Sequence, residues 1–115
     1  MNEALASDEL EMIGIARPLC LDPALSKGLL DGSVESAPLW ERGLRLGPGA
    51  FGPSSGVKMM RGFNHQAAVA WYYRHILALA DDRPIDTGLS ARKALFQHLR
   101  DEARLARARR RYRKA

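Results

Sequence analysis

The sequence predicts an all-α protein built on an antiparallel two-helix spine, about 64–82 and 88–113. Three observations carry this expectation. Apolar residues recur at spacings of three and four through both stretches, the period of a helix face rather than a strand. Start and stop signals bracket them: Asn64 before the first, Asp81-Asp82-Arg83-Pro84 after it, Thr87 or Ser90 before the second. The connection between them is short, which favours antiparallel neighbours. Short N-terminal helices and a Gly/Pro-rich connecting loop complete the expected fold.

In chain order, Ser7 is placed to cap a first helix whose apolar face holds Leu10, Met12 and Ile13 and which Pro18 ends. Asp22-Pro23 opens a second, a capping carboxylate followed by proline at the first helical position. That helix carries Leu25, Leu29 and Leu30 and should stop near Gly32. Ser36 is placed to cap a third, Ala37 to Arg45, packing through Leu39, Trp40 and Leu44. From Gly47 to Gly56, four glycines and two prolines mark a loop. Val57 to Met60 reads as a brief extended segment with no identifiable partner strand. The first spine helix presents Gln66, Val69, Tyr72, Tyr73, Ile76, Leu77 and Ala80; the second presents a stripe of Leu95, Phe96, Leu99, Ala103 and Ala106.

At 115 residues the chain fits one domain. Its expected organisation is an acidic helical region, 1–46, the Gly/Pro-rich loop, 47–56, and a helical hairpin with an arginine-rich arm, 57–115. Cys20 is the single cysteine, so no intrachain disulfide can form and a reducing compartment is expected. Met1 to Glu9 offers neither a basic n-region nor an apolar h-region, so no secretory signal is expected. The longest apolar stretch, 67–80, is interrupted by Arg74 and His75 and is too short to span a bilayer. A cytoplasmic location without a membrane partner is the expectation. The bias toward Ala, Arg, Leu and Gly matches high-GC bacterial or phage coding.

Charge is unevenly placed. Residues 1–60 hold eight acids against five bases, and residues 61–115 hold five acids against thirteen bases. The excess gathers at the end: Arg104, Arg107, Arg109, Arg110, Arg111, Arg113 and Lys114, with no acid among them. Arginine suits phosphate because its planar guanidinium donates two parallel hydrogen bonds. On a helix, Arg100, Arg104, Arg107 and Arg111 share one face, while Arg109, Arg110 and Arg113 widen it. Tyr112 could stack on a base, which favours RNA or single strands. Six such groups meeting phosphates would give log K against log salt a slope of roughly −4 to −5. Because the apolar stripe fades after Ala106 in a helix of ~39 Å from Leu89 to Lys114, the basic end should project beyond its partner.

The leading expectation is therefore a non-enzymatic nucleic-acid-binding protein, contacting RNA or DNA phosphates through this helix largely without regard to sequence. The alternative is a protein–protein interaction module (adaptor, inhibitor or assembly subunit) whose arm docks on an acidic protein surface. Trp71, Tyr72 and Tyr73 are the candidate protein-interface residues, because three consecutive aromatics cannot all face inward on a helix. A homodimer or a place in a larger assembly is compatible with a hairpin too thin to bury its own faces.

Other patterns carry less. Gly47, Gly49 and Gly52 match G-x-G-x-x-G, but that motif needs a strand before it and a helix directly after it. Three front helices suggest a helix-turn-helix with Ala37 to Arg45 as reader, but the region is net acidic. His65, His75 and His98 are not spaced as a helical metal pair, and no second cysteine supports zinc. No catalytic residue, metal site or cofactor is expected.

Overall fold

The computed structural model describes residues 15–113, and over these the chain is all-helical. Its helices are α1, Leu25–Asp31, α2, Lys58–Ala80, and α3, Ala91–Tyr112; three 3-10 turns, Arg17–Cys20, Trp40–Gly43 and Gly49–Phe51, lie among them. No strand occurs among the described residues. The chain divides into two compact units, Met1–Ala37 and Pro38–Ala115.

In the first unit, the helix expected from Ser7 falls mostly outside the described residues. Its expected end behaves differently from expectation: Pro18 sits inside the 3-10 turn Arg17–Cys20 instead of closing a helix. A missing N–H costs nothing in the first turn, where that donor has no intrahelical partner. Asp22 does turn the chain, its Oδ1 accepting from Ala24 N–H at 2.9 Å, and α1 follows. Gly32 closes α1 at φ 78°, the left-handed C-terminal position where a Cβ would be strained. Asp31 Oδ1 then accepts from Ser33 N–H at 3.0 Å. Hydrogen bonds from the Ser33 side chain and backbone hold the Asp31 carboxyl below the usual carboxylate range.

The second unit departs from expectation at its start. Ala37 to Arg45 is not a helix; it contains one 3-10 turn, Trp40–Gly43. Pro38 and Gly43 leave too few good helix formers to propagate even two turns. Val57 to Met60 is not an extended segment either. Only Val57 is extended, and α2 begins at Lys58, six residues before the expected cap. Ser55 prepares this start: its buried Oγ accepts from Val57 N–H at 3.1 Å, a local serine turn.

Asn64 is consequently a helix-interior residue, and it is buried. Its Oδ1 accepts from Leu46 N–H at 2.9 Å, while its Nδ2 donates to the carbonyls of Phe51, 3.0 Å, and Met60, 2.9 Å. One side chain thus satisfies three backbone groups and fastens the Gly/Pro segment to α2. Gly52 lies inside that segment, where a Cβ would sit 3.2 Å from the carbonyl oxygens of both Gly47 and Gly49.

The C-terminal end of α2 meets expectation. Asp82, at φ 50°, takes the left-handed position. Asp82 N–H donates to Leu79 at 3.2 Å and Arg83 N–H to Ala78 at 2.8 Å, the two bonds of a Schellman motif. Ser90 caps α3, accepting from Lys93 N–H at 3.3 Å.

α2 and α3 pack together as the antiparallel spine. Their buried residues are mainly small: Ala67, Ala70 and Ala78 on α2, Ala91 and Ala94 on α3. Alanine lets backbones approach closely, so dispersion between closely spaced backbones replaces much of what bulky side chains would contribute. The bulk lies beside this seam. Trp71 packs its ring on Trp40, Tyr72 and His75, and its indole N–H donates to Leu89 carbonyl at 2.7 Å. His75 has Nδ1 2.7 Å from Trp71 carbonyl and Nε2 3.0 Å from Asp86 carbonyl. Together Trp71 and His75 anchor the connection, 81–90, to the helix it leaves.

The seam corrects the expected stripe of α3. Ala91, Ala94, half-buried Leu95 and half-buried His98 face α2, whereas Phe96 is 67% exposed and Leu99 57%. Ala103 and Ala106 are exposed too. Of the expected stripe only Leu95 is partly inward; the fully buried positions of α3 are the small Ala91 and Ala94.

Candidate functional site

The basic residues of α3 follow from where its packing stops. Asp101 is half-buried, and every residue from Glu102 to Arg113 is exposed. The expected reason was length, and this is corrected: α2, of 23 residues, is as long as α3, of 22. Instead α2 divides its duties. Its first turns hold the Gly/Pro segment through Asn64, and its later turns hold the connection and the start of α3. Beyond Asp101, α3 carries no small inward residue that the rest of the unit buries.

On this exposed half, Arg104, Arg107 and Arg111 continue one face begun by Arg100, and Arg109, Arg110 and Arg113 occupy other directions. Arg104 Nη1 lies 3.9 Å from Asp101 Oδ1, a loose pair one turn apart. Arg107, Arg109, Arg110, Arg111 and Arg113 form no ion pair within the described residues. Tyr112 is 86% exposed. Lys114 lies outside the described residues. The last turn holds Arg109, Arg110 and Arg111 at the negative end of the helix dipole, which partly offsets their mutual repulsion.

No protein-family model, curated protein or solved structure matches the chain. What the site can do follows from its geometry.

The other expected interface residues separate. Trp71 and Tyr72 are buried and serve the interior of the second unit; only Tyr73, 46% exposed, reaches the surface. Its ring meets His98 edge-on at 5.6 Å. Trp71 and Tyr72 therefore lie in the interior, and Tyr73 is the exposed member of the row.

The patterns set aside on sequence grounds have structural counterparts. Gly49 to Phe51 is a single 3-10 turn, with no strand before it and Pro53 to Gly56 after it, so no helix directly follows the glycines as that motif requires. His75 is buried between two carbonyls, His65 is exposed and His98 lies against Tyr73. Among the described residues no group of three or more His, Cys, Asp or Glu side chains could hold a metal ion, and no helix is long and apolar enough to cross a membrane.

One arrangement was not read from the sequence. Arg74 of α2 reaches across the seam, its Nη1 donating to Asp101 Oδ2 at 2.7 Å. Gln97, Arg100, Asp101 and Arg104, spaced three and four apart, share one stripe of α3, and with Arg74 they line a cleft of about 210 Å³. The available signal was Arg74 itself, a lone cation within the longest apolar stretch.

Proposed function

We propose that this protein binds nucleic acid through the exposed half of α3, gripping phosphates largely without regard to base sequence. The observation that carries this reading is the concentration of exposed guanidiniums without an ion pair among the described residues: Arg107, Arg109, Arg110, Arg111 and Arg113. Such charges repel one another, and a polyanion relieves that repulsion while releasing its condensed counterions. Exposed Tyr112 supplies a face for stacking, so single strands should bind more tightly than duplex.

Fluorescence anisotropy with labelled single-stranded RNA, single-stranded DNA and duplex DNA at several salt concentrations tests the reading. Binding should weaken steeply with salt. Replacing Arg107, Arg110 and Arg111 together by Ala should lower the slope of log K against log salt by roughly 2–3. Absence of salt-sensitive binding to all three probes would overturn it.

A second reading, docking of the same arm on an acidic protein surface, is favoured by Phe96, Leu99 and Leu105. These α3 residues are exposed and apolar, and a phosphate contact would leave them unused. Under that reading the triple variant loses its protein partner while nucleic-acid probes never bind.

A further inference from the structure

We propose that the cleft between α2 and α3 is a seat for a single phosphate group, formed by Arg74, Gln97, Arg100 and Arg104, in which the Asp101 carboxylate competes with the phosphate for Arg74. It deepens the nucleic-acid reading by naming a point of attachment, although the seat itself would serve a phosphate of any origin.

Three guanidiniums line this cleft against one carboxylate. Asp101 uses both oxygens: Oδ2 on Arg74 at 2.7 Å, and Oδ1 facing Arg104 at 3.9 Å. The carboxylate therefore holds Arg74 closely and Arg104 only loosely, without neutralising the cluster. Each guanidinium has five N–H donors and Arg74 gives Asp101 only one short bond, so donors remain for an anion. Arg100 forms no ion pair within the described residues. Gln97 adds a neutral side-chain amide, a further N–H donor in the cleft. Arg74 is the least exposed of the ion-paired arginines, at 23% of its side chain, so its charge is less screened than those farther along α3.

Volume agrees with this assignment. One water needs only about 10–15 Å³ of such space, so about 210 Å³ admits a phosphate with hydration water. Position agrees as well: Arg104 belongs both to this cleft and to the face that continues through Arg107 and Arg111. A strand seated here by one phosphate would run onward along the arm.

Inorganic phosphate, a nucleoside monophosphate and a short single-stranded oligonucleotide distinguish the sources, titrated at constant low ionic strength against a chloride control. The readout is NMR of arginine Nε–H and glutamine side-chain amide signals. The seat predicts saturable shifts at Arg74, Gln97, Arg100 and Arg104 with inorganic phosphate and with the nucleoside monophosphate, while Arg109, Arg110 and Arg111 shift little with inorganic phosphate. Arg74→Gln should weaken phosphate binding roughly tenfold, and Arg100→Gln, at an exposed position, repeats the test without touching the Asp101 pair. Asp101→Asn should strengthen it several-fold, because the competing carboxylate charge is gone. Uniform, unsaturating drift of all arginines, or weaker binding in Asp101→Asn with the fold intact, would overturn the seat. If phosphate saturates the cleft but no oligonucleotide binds, the seat stands and the arm reading falls. If oligonucleotides bind with salt dependence while Gln97 never responds, the arm stands and the seat falls.

Discussion

At the scale of single residues, Asn64 has the most consequential placement. As a helix-start signal it would have used one side-chain oxygen. Within α2 it uses oxygen and amide alike, on Leu46, Phe51 and Met60. Replacing it by Ala strands the Leu46 N–H and the Phe51 carbonyl in a partly buried setting. Each such orphan costs about 1–3 kcal/mol, so Asn64→Ala should lower the unfolding free energy by roughly 2–6 kcal/mol in urea titration. Asn64→Asp keeps the acceptor for Leu46 but turns a carboxylate oxygen toward the Phe51 and Met60 carbonyls in a buried site, so it should cost at least as much as Asn64→Ala. A loss near zero would mean that water replaces these bonds. His75 shows a related tension: both ring nitrogens face carbonyl oxygens, yet a neutral imidazole has only one N–H to give. Neither role is readable from sequence, since a polar residue that seems to open a helix looks the same as one buried in its second turn.

At the scale of elements, helix ends were more legible than helix faces. Gly32, Asp82 and Ser90 stop or start helices through local backbone chemistry, which a few adjacent residues settle. The start of α2 was missed because Val57 has no capping side chain; Ser55, two residues earlier, turns the chain instead. The packed face of α3 was missed because a hydrophobic stripe ranks Phe96 and Leu99 above Ala91 and Ala94. Close approach reverses that ranking, since only small residues fit a tight seam. The consequence is testable by differential scanning calorimetry. Ala94→Leu should destabilise by about 1–3 kcal/mol through overpacking, whereas Leu99→Ala should remain within about 0.5 kcal/mol of the parent. The opposite order would return the bulky stripe to the interior.

At the scale of the whole molecule, architecture and charge separate along α3. Its first half is required by the hairpin, through Ala91, Ala94, the Ser90 cap and the Arg74–Asp101 pair. The second half has no such obligation. The basic run itself was plain in the sequence; that it stands outside the packed interior for want of partners, rather than for want of length, was not. Ending the chain after Leu105 should therefore leave cooperative unfolding nearly unchanged by circular dichroism, apart from the helical signal of the lost turns. If the proposed nucleic-acid reading holds, affinity at low salt should fall by at least two orders of magnitude, as expected from losing about five phosphate contacts. A large drop in melting temperature would show that the arm contributes to the fold.

The same separation governs how the protein ages in solution. A trypsin-like protease needs a basic residue and a local opening, and openings are cheapest where few buried contacts resist them. α3 presents Arg107, Arg109, Arg110, Arg111 and Arg113 on its least supported turns. Clipping should proceed inward from the C-terminus and stall near Asp101, where the seam begins. A preparation trimmed this way would melt, scatter and elute much as before while lacking the arm on which the proposed function rests, and intact mass would reveal the change before any measure of folding.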